Sequence, residues 1–104
     1  MKTAQSHQTI RQGDVLLIPV GQLPAGAERL PDRIGIRIEG ERTGHAHQLV
    51  GHVAVADDGR EFVRGGNVLT HPEHEAIATA PTWYEVRLQR EYTPTGLRGR
   101  RWAD

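Results

Sequence analysis

Cysteine is absent from the 104 residues of this chain, which excludes disulfide bonds and thiolate metal sites and leaves histidine, aspartate and glutamate as its strong metal ligands. Aromatic residues make up only 5% and hydrophobic residues 37%, so one domain with a thin core is expected. Such a chain gains from self-association, and pairing of subunits through β-edges into a homo-oligomer is the expected assembly. Lysine is nearly absent as well, since Lys2 is the sole example and the other basic residues are arginine. The 13 basic and 13 acidic residues cancel, so no global attraction to nucleic acid or to an anionic membrane is predicted. No apolar run approaches membrane-spanning length. The polar start, Met1 to Gln8, lacks the apolar core of a signal peptide, and with the missing cysteine this gives a cytoplasmic expectation.

Four of the 6 histidines fall in two short segments, Gly40-Glu41-Arg42-Thr43-Gly44-His45-Ala46-His47 and Thr70-His71-Pro72-Glu73-His74-Glu75. Residues i and i+2 of a strand share a face, so His45 and His47 on an extended segment project two imidazoles side by side. Neutral imidazole is a common ligand of zinc, iron, copper and nickel, and a His-rich site with an open position is typical of catalytic metals.

Residues 1–8 read as a flexible arm, residues 9–93 as a single β domain, and residues 94–104 as a basic tail. Gly13-Asp14 followed by Val15-Leu16-Leu17-Ile18 reads as a turn and then a strand buried on both faces, with Pro19 marking an edge or bulge. Leu23-Pro24-Ala25-Gly26 is a loop. In Arg33 to Glu39, Ile34, Ile36 and Ile38 alternate with Arg33, Gly35, Arg37 and Glu39, the cleanest period-two pattern in the chain. The next strand runs from His45 towards Val55, and alternation sets His52 on the face away from His45 and His47. Asp57-Asp58-Gly59-Arg60 is a hairpin signal with Glu61 to Arg64 as the return strand, and Gly65-Gly66-Asn67 is a second turn. Pro72 interrupts pairing, and a bulge there could re-aim His71 or His74, which strict alternation would place on opposite faces. Glu75 to Ala80 reads as a short strand and Trp83 to Tyr92 as the longest one, with Arg90 on its apolar face in need of Glu41 or Glu75 as a partner. No helical period of useful length occurs. The expected fold is all-β, a small barrel or cupin-like sandwich of six to eight short strands.

The histidines support a mononuclear site for a divalent metal ion such as zinc, iron or manganese, with His45, His47 and His74 as first ligands. His71, Glu73, Glu75 or Glu41 would supply a fourth. The site could act as a Lewis acid, activate water or bind oxygen, which would make the chain a metal-dependent enzyme. A metal-free alternative uses two histidines as general acid and base with Tyr84 or Tyr92 nearby. The rival class is a non-enzymatic, self-associating scaffold in which the histidines only pack or hydrogen-bond. In the tail, Arg98, Arg100, Arg101 and Trp102 combine cations with an aromatic ring that could contact nucleic acid, although arginines in such a tail are more often just solvated charge.

The motifs Gln12-Gly13-Asp14-Val15-Leu16-Leu17, Gly40 to His47, His71-Pro72-Glu73-His74 and Gln89-Arg90-Glu91-Tyr92 resemble a family of small bacterial and phage-associated proteins without an assigned function. The resemblance covers most of residues 10 to 93 and implies no activity. A Gly-rich turn feeding His-x-His on a strand more distantly resembles the first motif of cupins, small β-barrels that hold a metal with histidines and a glutamate. In this chain Gln48 to Ala56 contains no acid, where that motif has its glutamate.

Overall fold

The structure is a computed structural model and describes residues 1–39 and 44–89. Its elements are strands throughout: β1 (Lys2–Thr3), β2 (Ile10–Gln12), β3 (Val15–Gly21), β4 (Glu28–Arg29), β5 (Gly35–Glu39), β6 (Ala46–Val50), β7 (Val53–Val55), β8 (Glu61–Arg64), β9 (Val68–Leu69), β10 (Ile77–Ala78) and β11 (Trp83–Leu88). The all-β expectation holds. Among the described residues eleven strands replace the six to eight expected, because several are two-residue pairings, too short for alternation to reveal.

The largest sheet has the order β2-β3-β11-β8-β7-β4. Its hairpins follow local chemistry. Gly13 has φ +60° between β2 and β3, where Gln12 pairs with Val15 across a two-residue turn that needs a left-handed position. Ala56 N–H donates to Arg60 O at 2.9 Å, closing the Asp57-Asp58-Gly59 turn between β7 and β8. At the far end of β3 the ladder to β11 slips by one residue, with Trp83 opposite Gly21 and Tyr84 opposite Pro19. Pro19 therefore lies beside a bulge, as its missing N–H demands.

Two smaller sheets complete the fold: β1-β10-β9, and β5 paired antiparallel with β6. They are joined where Gln48 and Thr70 exchange backbone hydrogen bonds of 2.9 and 3.0 Å. Within the segment read as an arm, Lys2–Thr3 lies parallel to Ile77–Ala78, with Lys2 N–H donating to Ala76 O and Ala4 N–H to Ala78 O. The edge of β10 supplies partners that the sequence of the arm does not disclose.

The sheets do not close into a barrel. Val15, Leu17, Val53, Val63 and Tyr84 of the large sheet meet Ile36 and Leu49 of the β5-β6 pair and Leu69 and Ile77 of the third sheet in one apolar cluster, a sandwich-like arrangement. A smaller cluster of Ala54, Ala56, Phe62 and Trp83 lies against Val20 and Leu23. With so few aromatics, each counts: Tyr84 and Phe62 are fully buried, and a side chain of this size contributes roughly 1.5–3 kcal/mol by burial. The Tyr84 hydroxyl accepts from Ala80 N–H at 3.0 Å, so this tyrosine serves the core. The isoleucine row of β5 is less uniform than its pattern suggests, since Ile36 is buried but Ile34 is 79% exposed.

Candidate functional site

Three parts of the chain distant in sequence supply the histidine cluster. β6 carries His47, with His45 just before it; the bend between β9 and β10 carries His71 and His74; the β2-β3 turn carries Gly13 and Asp14 beneath them. Ring centroids are 4.3 Å apart for His47 and His71, 4.5 Å for His71 and His74, and 5.9 Å both for His45 and His71 and for His47 and His74. The fold thus brings all four together within one chain. His71 and His74 meet because the chain leaves strand geometry after Thr70. His52 is exposed at the break between β6 and β7, away from its neighbours of sequence.

His47 is the anchor, with 1% exposure. Its Nδ1 lies 2.9 Å from Gln12 Oε1, while Gln12 Nε2 donates to Leu69 O at 3.1 Å and to Glu75 O at 2.9 Å. Two carbonyls fix which end of the amide is the donor, so Oε1 must accept and the His47 hydrogen sits on Nδ1. The Nε2 of the neutral ring then carries the lone pair, and it lies 3.6 Å from Asp14 Oδ1. A lone pair facing a carboxylate at that separation is an arrangement that a shared proton or a cation stabilises.

Gly13 gives these groups room. A Cβ at Gly13 would come 2.8 Å from His74 Nε2 and 3.2 Å from His47 Cε1. The two imidazoles therefore approach one point above a backbone with no side chain, beside the Asp14 carboxylate.

The other two histidines differ in chemistry. His71 Nδ1 accepts from Glu73 N–H at 3.0 Å, so its ring hydrogen in the neutral form is on Nε2. Burial, then the neighbouring His74 and His45, hold its pKa below the ordinary 6.5, against the opposing effect of Glu73 and Asp14. His45 Nδ1 is buried, makes no hydrogen bond among the described residues and lies 3.5 Å from Glu73 Oε1. Glu75 reaches instead towards the amino group of Met1, at 3.4 Å.

Among the described residues, no group of three or more histidine, aspartate or glutamate side chains is placed so that it could hold a metal ion as it stands. Glu41 lies outside the described residues, as do Arg90, Tyr92 and the tail residues Arg98, Arg100, Arg101 and Trp102. Sequence reading missed Gln12, Gly13 and Asp14 as members of the site. The Gly-Asp pair reads as a turn and is one, and only the packing of that turn against His47 and His74 reveals its second use.

No curated protein and no solved structure matches the chain. Residues 11–89 match a family described as a domain of unknown function, DUF8820, and the segment spans β3 to β11 together with every member of the histidine cluster; the chain belongs to this family.

Proposed function

We propose that the chain binds a divalent metal ion at the histidine cluster, with His47, His74 and the Asp14 carboxylate as the principal ligands and His45 as a further one. The observation that carries this reading is the pairing of His47 Nε2 with Asp14 Oδ1 at 3.6 Å while Gln12 holds the Nδ1 hydrogen. A buried amide or carboxylate that fixes the far nitrogen is what orients metal-binding imidazoles and raises their basicity. Two imidazoles with one carboxylate form a donor set suited to iron, manganese or zinc, and three protein ligands leave a position for water or substrate.

Burial disfavours the charged form of His71, so this ring adds little positive charge to repel a cation from the site. The side chains must draw together by small rotations to reach metal–nitrogen distances of about 2.0–2.1 Å. His74 is exposed and has the freedom to do so. A bound metal would supply Lewis acidity or an activated water, and a metal-dependent enzyme is the consequent activity class.

The test is calorimetric titration of tag-free protein with zinc, manganese and ferrous iron, the last without oxygen, alongside elemental analysis of the protein as purified. Stoichiometric binding is expected, reduced at least tenfold in His47→Ala and His74→Ala but unchanged in His52→Ala. Absence of binding by any of the three ions, or equal binding by all variants, would overturn the proposal and leave the histidines a packing role.

A further inference from the structure

The outer edge of β5 presents a second interaction surface, independent of the metal reading. In the ladder between β5 and β6, Gly51 N–H donates to Ile34 O at 2.8 Å, which fixes the phase: the backbone groups of residues 34, 36 and 38 face β6. Those of Gly35 and Arg37 consequently face the opposite edge, where no other strand pairs with β5 among the described residues. The Gly35 carbonyl is met there by the exposed Arg33 guanidinium at 3.4 Å. Edges of this kind are normally blunted by proline, by a bulge, by brevity or by charged side chains, and the charges on β5, Arg37 and Glu39, are of opposite sign. β5 has five residues, no proline and an uninterrupted register with β6.

We infer that this edge is the seam of a symmetric dimer, in which β5 pairs antiparallel with β5 of a second copy about a two-fold axis at Ile36. The side chains select that register. Gly35 then stands opposite the partner's Arg37 and exchanges backbone hydrogen bonds with it. Arg33, which reaches Glu61 at 3.3 Å in the single chain, stands opposite the partner's Glu39, whose counterpart in this chain is paired with Arg37, so opposite charges meet at both ends of the seam. Ile34, 79% exposed in the single chain, lies beside the partner's Ile38 on the face that continues the apolar core. An axis at Arg37 would set two guanidinium groups against each other. An axis at Ile38 would match Arg37 with the partner's Glu39 but leave Ile34 uncovered.

The seam suits a chain with little apolar material of its own. Pairing two copies joins the β5-β6 sheets of both into one four-stranded sheet and extends apolar cover over the exposed Ile34 without any additional core residue.

The experiment is sedimentation velocity over a concentration series of the full chain, with EDTA present so that histidine-bound metal cannot bridge copies. A dimer is expected for the native sequence. Arg37→Pro removes an outward N–H and spares every bond to β6, so it should give a monomer with unchanged circular dichroism. In Ile34→Cys/Ile38→Cys the two positions lie roughly 13 Å apart within one strand. Across the seam they form a non-hydrogen-bonded pair with Cα atoms about 4.5 Å apart, within disulfide range, so mild oxidation should yield a covalent, reducible dimer. A native chain that stays monomeric throughout, a dimer that survives Arg37→Pro, or a cysteine variant that fails to cross-link would each overturn the inference.

Discussion

The Nδ1 of His47 and the Oε1 of Gln12 lie 2.9 Å apart across a sequence separation of 35 residues, and this buried hydrogen bond ties the β2-β3 hairpin to β6. The same amide holds Leu69 O and Glu75 O, so one side chain links three parts of the histidine cluster.

Replacing Gln12 with leucine should therefore act on stability and on the site together. The His47 N–H and two carbonyls lose their partner, and each buried polar group left unsatisfied costs about 1–3 kcal/mol. A loss of at least roughly 2 kcal/mol is expected in urea denaturation of the metal-free protein. Zinc affinity should fall by about 10–100-fold, as for other partners that orient a ligand histidine. A variant as stable as the native chain would show that the amide is dispensable.

Gly13→Ala tests the cradle beneath His47 and His74. The left-handed φ of +60° disfavours any side chain there by about 1–2 kcal/mol, and the added Cβ would stand 2.8 Å from His74 Nε2. His74 is exposed and can swing away, so the chain should still fold with a stability loss of about 1–2 kcal/mol. Metal binding should suffer more than stability, because the swing removes a ligand. Calorimetry and thermal unfolding of the same sample compare the two, and unaltered affinity would remove His74 from the ligand set.

Acid should weaken the metal-free fold through His71. Its pKa is lower in the folded chain than the ordinary 6.5, so the unfolded chain takes up the proton first as pH falls. The stabilising contribution is complete above about pH 6.5 and is lost as pH drops from there towards the folded-state value. Denaturation midpoints measured in EDTA between about pH 8 and pH 5 should decline more steeply for the native chain than for His71→Gln. Parallel curves would show that His71 titrates in the fold as it does in the unfolded chain.

Much of the fold was legible because β-structure writes itself in short periods. Asp57-Asp58-Gly59-Arg60 announced its hairpin, Glu61 to Arg64 its return strand, and Pro19 its bulge, each through chemistry local to a few residues. The two-residue strands β1 and β4 escaped, since no period can be counted over two positions, whereas β10 lies within the short strand read over Glu75 to Ala80. Ile34 fits the alternation of Ile36 and Ile38 yet stands exposed, because alternation assigns a face but not whether anything covers it.

Sequence alone determined the all-β class and the glycine turns, both consequences of backbone geometry within one segment. Tertiary structure decided the site. Only the long-range pairing of β6 with β5 and Thr70, and the docking of the β2-β3 turn beneath β6 and the bend after β9, could place Gln12, Gly13, Asp14, His71 and His74 around His47. Those residues carry no periodic signal of one another, because what joins them is hydrogen bonding and packing between segments tens of residues apart.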